Sequence, residues 1–172
     1  PAIAFLTRHF ETDAGVMISA SHNTVEYNGI KFFNGNGYKL DDLLEEKIED
    51  IIISSINVNS HITGDKIGKC LEAEENATGL YVKHLLDTVD YSLRGKKIVI
   101  DCANGAAFQI AEKIYRELGA EVIVIGNQPN GVNINDGCGS THPERMAETV
   151  KMSGADIGLA FDGDADRLIV AD

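Results

Sequence analysis

Three aspartates at alternate positions, Asp162, Asp164 and Asp166, are the residues whose types and spacing most directly imply chemistry. Carboxylates this close together repel one another, and a cation lying among them relieves that repulsion. The intervening Gly163 and Ala165 are small, so the loop can turn tightly and direct the three carboxylates inward. Hard oxygen ligands suit Mg²⁺ or Ca²⁺. The pattern therefore predicts a divalent-metal site.

Arg167, which directly follows the aspartates, bears on the kind of metal site. An EF-hand loop also begins with alternating aspartates, but it requires glycine at its sixth position, where this chain has Arg167. Mg²⁺ usually takes part of its shell from phosphate or water, and an arginine beside it can hold a phosphoryl oxygen. The residues alone therefore leave Mg²⁺ and Ca²⁺ open, and Arg167 is a candidate partner for a phosphoryl oxygen. The alternative is an exposed acidic turn that binds no metal.

Ser21, His22 and Asn23 form a second candidate site, at the end of the β-branched run 15–20. A serine nucleophile needs an activating base or a positive environment. His22 is adjacent, but neighbours on an extended loop usually point apart, and the sequence has no Gly-x-Ser-x-Gly elbow, so a hydrolase is disfavoured. Lys31 is a candidate proton donor or phosphate partner. Taken alone, the serine is more typical of an ordinary loop residue than of a nucleophile, and Lys31 alone is equally typical of a surface lysine.

The elements that must position the aspartates alternate regularly in the second half of the chain. Apolar runs without alternation are typical of parallel strands covered on both faces. Strand–helix–strand order is the signature of βαβ crossovers, so the fold class is α/β with mixed, mostly parallel sheets and helices on both faces. The predicted elements are a strand at 97–103, a helix at 104–118 ended by Gly119, a strand at 121–125, a helix from Pro143 capped by Thr141 or His142, a strand at 157–161 and another beginning at Leu168.

The first half of the chain contains a separate set of elements around the serine loop. The predicted elements are a helix at 3–10, strands at 15–20 and 29–33, a helix at 41–56 with Asp42 and Glu45 as a capping box, and a helix from about 72 to 89. The polar stretch 57–71 suits a boundary. We expect two α/β domains, residues 1–74 with the serine loop and residues 75–172 with the metal loop.

Charge and cysteine content restrict the partners and the compartment. The net charge is −12, whereas affinity for nucleic acid or anionic membranes comes from basic residues, so neither is expected as a partner. No apolar run approaches the ~18 residues that span a bilayer. The three cysteines are far apart and odd in number, as is typical of reduced thiols in a cytosol. We expect a soluble, cytoplasmic protein.

Together the motifs resemble those of one enzyme family. ISASHN at 18–23, NGIKFF at 28–33 and AFDGDADR at 160–167 are similar to motifs of the phosphohexomutases that carry their phosphoryl group on serine. DCANGAA at 101–107 and NINDGCGSTHPE at 133–144 most resemble the bacterial branch that acts on glucosamine phosphates. The resemblance spans most of the chain and implies a fragment of such an enzyme, namely the later part of its first domain and most of its second.

The resemblance also implies roles for the candidate residues. Ser21 would be phosphorylated in the resting enzyme. One Mg²⁺ per active site would be bound by Asp162, Asp164 and Asp166, with a phosphoserine oxygen completing its coordination. One departure is Thr24, where the family usually has proline, which predicts a somewhat looser loop.

The resemblance further implies the residues around the phosphoryl group and the reaction. The flanking residues would be His22, Lys31 and Arg167, with Lys31 as the acid/base candidate. The enzyme would interconvert 6- and 1-phosphates of a hexose through a bisphosphate, and the full-length protein would be a homodimer with a phosphosugar substrate. The isolated chain is expected to be inactive, because part of the substrate contacts would be missing.

Three alternatives remain open from the sequence. A phosphomannomutase or phosphoglucomutase would use the same chemistry on another sugar. A haloacid-dehalogenase-type phosphatase also has a strand that ends in Asp-x-Asp, but it typically has Thr or Val where this chain has Asp166. A metal-binding fragment without turnover is the non-enzymatic alternative.

Overall fold

The computed structural model describes residues 1–54, 64, 67–71 and 76–172. Helices and strands alternate along these residues. Their bounds are α1 (Ala2–His9), β1 (Ala14–Ile18), β2 (Ile30–Asn34), α2 (Asp42–Ile53), α3 (Ala77–Leu86), β3 (Lys97–Asp101), α4 (Ala111–Glu117), β4 (Glu121–Ile125), α5 (Glu144–Ser153), β5 (Ile157–Phe161) and β6 (Leu168–Ala171).

The larger sheet has four strands in the order β4–β3–β5–β6. Strand β3 pairs in parallel with both β4 and β5, whereas β6 returns antiparallel on β5. Because β3, β4 and β5 run in the same direction, their carboxyl ends lie at one edge of the sheet, where ligands of open α/β sheets gather. This architecture confirms the predicted α/β class with a mostly parallel sheet.

Successive residues of β3 pack on opposite faces of this sheet. Ile98 and Ile100 belong to a buried cluster with Ala111 of α4, while Val99 belongs to a second cluster with Met146 of α5. Both faces are therefore covered by helices, which explains why β3 is apolar without alternation. The prediction of helices on both faces is confirmed.

The smaller sheet pairs β1 and β2 in antiparallel register. Met17 lies opposite Lys31, so the strand pair places Lys31 beside the chain that leads into the serine loop. Helix α1 packs closely on β1, and Gly15 makes this approach possible, since a Cβ there would come within 2.1 Å of Thr7 Oγ1. The helix and the two strands predicted in this half of the chain are present, within a few residues of their expected bounds.

The predicted helix over 104–118 is wrong in its first half. Ala103 and Asn104 have φ values of +53° and +49°, a left-handed conformation that no helix can begin from. A 3₁₀ turn at Ala106–Phe108 follows, and α4 starts only at Ala111. Gly119, with φ +97°, is the C′ residue as predicted.

Two predicted helix caps are also wrong. Helix α2 is capped by Asp41, whose side chain accepts the N–H of Leu43 at 2.9 Å, and the expected box of Asp42 and Glu45 is not the cap. Helix α5 has Pro143 itself at the N-cap, without a side-chain cap from Thr141 or His142. In both cases the helix begins one position away from the residue that the sequence pattern favoured.

The helix predicted from about 72 to 89 is shorter than expected and spans Ala77–Leu86. Asn76 is its N-cap, because its backbone is extended and its side chain accepts the N–H of Gly79 at 3.0 Å. Residues 72–75 lie outside the described part of the chain. The predicted domain boundary between residues 74 and 75 falls in the same gap and stays a prediction. No helix in the described ranges combines the length and the apolar character of a transmembrane span.

The apolar residues of α2 lie largely in solvent. None of its residues is buried, and Leu43 and Ile52 are 68% and 71% exposed. The helical period therefore predicted the element correctly, although most of its apolar residues, Ile48 excepted, are exposed within the described structure.

Thiol chemistry gives a test of this fold that is independent of function. Cys70 is exposed, whereas burial raises the pKa of Cys102 to about 12 and that of Cys138 to about 11. We expect iodoacetamide at pH 8 to modify one thiol of the native protein and three after denaturation, because the thiolate is the reactive form. Intact-mass spectrometry counts the adducts, and rapid native modification of all three would contradict the placement of β3 and the 133–140 loop.

Candidate active site

The three aspartates converge at the carboxyl end of β5. One carboxylate oxygen from each of Asp162, Asp164 and Asp166 lies within 4.8 Å of the other two. Asp162 is fully buried and Asp164 is 6% exposed, whereas Asp166 is exposed. Two carboxylates that are buried this close together need positive charge or hydrogen-bond donors around them.

A tight turn shapes this acidic loop. Ala165 has φ +59°, and its N–H donates to the main-chain oxygen of Asp162 at 3.0 Å. Oδ1 of Asp162 also accepts the backbone N–H groups of Asp166 at 3.2 Å and Arg167 at 3.1 Å. The side chain of Asp162 therefore organises the loop that carries the other two aspartates.

The serine loop meets the acidic loop directly. Ser21 Oγ donates to Asp162 Oδ2 at 2.9 Å, although the two residues are 141 positions apart. Ser21 has φ +55°, an uncommon conformation for a residue other than glycine. Backbone strain of this kind is often found at functional sites. The structure thus brings together Ser21 and the acidic cluster, which the sequence identified separately.

Lys31 and Ser19 both contact Asp164. Lys31 Nζ forms an ion pair of 2.8 Å with Asp164 Oδ2, and Ser19 Oγ donates to the same oxygen at 3.2 Å. Ser19 also accepts the backbone N–H of Ser21 at 2.9 Å. Lys31 was predicted from the sequence, whereas Ser19 was not, because one serine in an apolar run carries no signal of a partner in another loop.

His22 and Arg167 are less firmly held. His22 Nδ1 is buried and has no hydrogen-bond partner within the described residues. The side chain of Arg167 is 55% exposed, and its Nε is 4.0 Å from Asp166 Oδ1, so this surface ion pair contributes little to stability. His22 belongs to the serine loop and Arg167 adjoins the acidic loop, and within the described residues both keep nitrogen atoms that protein atoms do not engage strongly.

The carboxylates have the electrostatics of a cation site. Burial raises the pKa of Asp166, and the charges of Asp164 and Asp162 raise it further. Burial also acts to raise the pKa of Asp164, but the hydrogen bond and charge of Lys31 outweigh it and hold that pKa below its ordinary value. Asp164 Oδ1 is buried without a hydrogen-bond partner among the residues described. An all-oxygen donor set with one unpartnered buried oxygen fits a hard divalent cation.

Two further loops, which contain Asp101 and Asn135, support the site. From the sequence alone, only the family resemblance linked these loops to the serine loop and the acidic loop. Asp101, buried at the end of β3, accepts the N–H of Ala103 with Oδ1 and that of Gly139 with Oδ2, each at 2.9 Å. Asn135 donates from Nδ2 to the main-chain oxygens of Ser21 and Asn23, also at 2.9 Å each. Asp101 and Asn135 were not predicted as site residues, because their contacts with Gly139 and with the serine loop join segments that lie far apart in sequence.

Gly105 allows the 101–107 loop to reach the acidic loop. A Cβ at this position would lie 2.3 Å from the main-chain oxygen of Gly163 and 2.6 Å from its Cα, while the N–H of Ala106 donates to that oxygen at 2.8 Å. Its φ of −110° is ordinary, so the requirement for glycine comes from the close approach of the two backbones.

We expect Gly105→Ala to destabilise the protein by about 1–3 kcal/mol, because backbone atoms must move to admit the methyl group. Urea denaturation measures the loss. Gly68→Ala is the matched control, since no atom of the described residues lies within 4 Å of a Cβ there. Equal stability of the two variants would contradict the close contact between Gly105 and Gly163.

Two family profiles match the chain. Residues 1–58 match phosphoglucomutase/phosphomannomutase alpha/beta/alpha domain I, and residues 79–172 match alpha/beta/alpha domain II of the same family. The chain belongs to the phosphoglucomutase/phosphomannomutase family. This membership confirms the resemblance to phosphohexomutases, and it does not favour the haloacid-dehalogenase alternative.

Individual relatives agree with the family. The chain is 55% identical over 172 residues to the phosphoglucosamine mutase of Clostridium novyi (strain NT), covering 100% of this chain and 38% of that protein. A phosphoglucomutase/phosphomannomutase family protein from Burkholderia thailandensis superimposes with a TM-score of 0.70 at 26% identity, over 93% of this chain and 33% of the other.

A more distant fold relative was solved with ligands. It is Aspergillus fumigatus N-acetylphosphoglucosamine mutase in complex with GlcNAc-6P and magnesium, with a TM-score of 0.53 and 17% identity, over 98% of this chain and 46% of that one. At this identity the likeness shows the fold alone. The chain spans 38% of the length of the curated relatives it matches.

Proposed function

We propose that this chain is the part of a phosphoglucosamine mutase that carries the phosphoryl group and the metal. The full-length enzyme interconverts glucosamine 6-phosphate and glucosamine 1-phosphate. The observation that carries the proposal is the 2.9 Å contact between Ser21 Oγ and Asp162 Oδ2, which joins the candidate phosphoryl carrier to the carboxylate cluster. The 55% identity to the Clostridium novyi enzyme supports glucosamine as the sugar.

Asp162, Asp164 and Asp166 are the residues that would hold Mg²⁺. The unpartnered Oδ1 of Asp164 and the mutual repulsion of the three carboxylates support this assignment within the described part of the chain. When bound, Mg²⁺ would neutralise charge on the transferring phosphoryl group.

Ser21 is proposed as the phosphoryl carrier. In the first half-reaction the P–O bond to Ser21 breaks and a new P–O bond forms to the free hydroxyl of the sugar phosphate. The proton of that hydroxyl passes to a base, and the departing Ser21 oxygen takes up a proton. In the second half-reaction Ser21 Oγ loses its proton as the other phosphoryl group of the bisphosphate transfers to it, and the former sugar oxygen of that group takes up a proton. Phosphoryl transfer depends mainly on positioning and charge neutralisation, so the protein's task is to align these groups.

Lys31 is the proposed acid/base residue, with His22 and Arg167 beside the phosphoryl group. A phosphoserine carries about −1.5 to −2 near neutral pH, which adds to the three carboxylates. Lys31 offsets part of that charge through its 2.8 Å ion pair with Asp164. Arg167 is largely free to turn toward a phosphate, because only a long contact to Asp166 engages its guanidinium in the described structure.

The sugar is tested by turnover of the full-length protein with glucosamine, glucose and mannose 6-phosphates in parallel. We expect the highest kcat/KM for glucosamine 6-phosphate. Preference for mannose or glucose 6-phosphate would instead indicate the phosphomannomutase or phosphoglucomutase branch. The chain alone is expected to be inactive, and a homodimeric full-length protein in the cytoplasm remains a prediction from the sequence.

A further inference from the structure

Asn135 connects the serine loop to the larger sheet. Its side chain is 2% exposed, and Nδ2 donates to the main-chain oxygens of Ser21 and Asn23. These partners are 114 and 112 residues away. One buried amide therefore bridges two loops that the chain places far apart.

The two acceptors determine the orientation of this amide. Both N–H groups of Asn135 point to carbonyl oxygens, and a flipped amide would place its own oxygen against them. In this orientation Oδ1 is buried and has no partner among the described residues. An unpaired buried acceptor costs about 1–3 kcal/mol. The side chain of Asn135 thus satisfies two main-chain acceptors, and its own acceptor oxygen stays unpaired within the described structure.

The conformation of Ser21 needs such restraints. A residue other than glycine at φ +55° is strained and persists only where its surroundings hold it. The N–H of Ser21 donates to Ser19 Oγ, its hydroxyl donates to Asp162, and its carbonyl oxygen accepts from Asn135. Asn135 is thus the restraint on the carbonyl side, and loss of that bond frees the peptide to rotate.

Asn135 is itself fixed to the sheet. Its backbone N–H donates to the oxygen of Ala103 at 3.0 Å, and Ala103 is held by Asp101 at the end of β3. A Cβ at Gly163 would lie 2.6 Å from Asn135 Nδ2 and 2.7 Å from the oxygen of Ser21, so this packing tolerates no side chain at position 163. Asn135 and the acidic loop are therefore anchored to neighbouring strands of one sheet.

We propose that Asn135 is a positioning residue for phosphoryl transfer, holding Ser21 so that Oγ faces the carboxylate cluster. The inference rests on the proposed function, because it presupposes that Ser21 carries the phosphoryl group. Asn135 acts through the backbone of Ser21, whose main-chain oxygen accepts its Nδ2 hydrogen bond.

Two substitutions separate the donor role from the fold. Asn135→Asp keeps the shape of the side chain and the tolerance for its φ of +55°, but it replaces the N–H donors by an acceptor. Asn135→Gly keeps the backbone conformation and removes the amide without adding charge. Asn133→Asp is the matched control, since Asn133 lies in the same loop but bonds Gln128 and Asn130.

The test measures kcat, KM and Tm of these variants in the full-length protein, with glucosamine 6-phosphate as substrate. Misplacement by about 1 Å can cost on the order of 100-fold in rate, so we expect kcat to fall about that much in both Asn135 variants, with KM changed by less than about 3-fold. The Asn133→Asp control should keep wild-type kcat.

Each other outcome contradicts the inference. Wild-type kcat in either folded Asn135 variant would overturn it, as would a rise in KM alone. If both variants lost cooperative unfolding, Asn135 would be a residue of the fold and the positioning role would be wrong. Absence of turnover in the wild-type protein would instead overturn the proposed function, so the two failures are distinguishable.

Discussion

Ser21→Ala in the full-length protein is expected to abolish turnover with glucosamine 6-phosphate, lowering kcat by on the order of 10⁴-fold or more, as removal of a covalent nucleophile does. The reason is that the substitution removes the atom that carries the phosphoryl group. Ser19 Oγ, the nearest serine hydroxyl in the same loop, is engaged with the Ser21 N–H and with Asp164.

The same variant should lose its covalent phosphate. After treatment with a hexose 1,6-bisphosphate, intact mass and peptide mapping should place one phosphate on Ser21 of the wild-type protein and none on the variant. Ser54→Ala, an exposed serine at the end of α2, is the control and should leave both readings unchanged. Phosphate on Asp162, or turnover retained by Ser21→Ala, would overturn the assignment of Ser21.

The strands of the larger sheet were predictable because each is a continuous run of apolar residues, and such a run is buried on both faces. β4 and β5 have the predicted bounds, 121–125 and 157–161, since continuous apolar runs leave no other way to bury both faces. The order β4–β3–β5–β6 was not predicted. It depends on contacts between whole layers, and no local pattern encodes those contacts.

The helix at 104–118 failed for a different reason. Nothing in its composition shows that Ala103 and Asn104 adopt left-handed conformations, because the cause is the buried carboxylate of Asp101 and the close approach of Gly105 to Gly163. Tertiary contacts here override local helix propensity. The strain lies in a loop that supports the site, where such local conflicts are common.

The site divides in the same way. Asp162, Asp164 and Asp166 were predicted as a metal site because three carboxylates in five residues are unfavourable without a cation. The whole signal lies in one short segment of the sequence. Ser21 became a strong candidate only through its motif, and its contact with Asp162 needed coordinates. Asn135 and Ser19 were missed because their partners belong to other loops, and a single amide or hydroxyl is common in any loop.

Asp166→Asn should separate metal binding from folding, because it changes the two in opposite directions. The raised pKa of Asp166 means that its charged form is disfavoured in the folded state, so at pH 7 neutralisation removes a repulsion with Asp164 and Asp162. In EDTA the Tm of the 172-residue chain should therefore stay equal or rise. Asp136→Asn, the same change at an exposed residue of another loop, is the control.

Mg²⁺ should stabilise the wild-type chain but hardly affect the Asp166→Asn variant. At a concentration of about 100 times Kd, ligand binding adds about 2.7 kcal/mol, which for a chain of this size corresponds to a Tm rise of about 5–11 °C. Loss of a carboxylate ligand should weaken binding by at least about 100-fold, since even residues that only orient a ligand cost 10–100-fold. At the same Mg²⁺ concentration the variant would then keep only about 0.4 kcal/mol, or about 1 °C.

Two outcomes would contradict this assignment. If Mg²⁺ did not raise the Tm of the wild-type chain, the acidic loop would not be an Mg²⁺ site. If Mg²⁺ raised the Tm of the Asp166→Asn variant as much as that of the wild-type chain, Asp166 would not be a ligand. The proposal requires one carboxylate to cause both effects, because the Asp166 charge that repels Asp162 and Asp164 without metal is the charge that binds Mg²⁺.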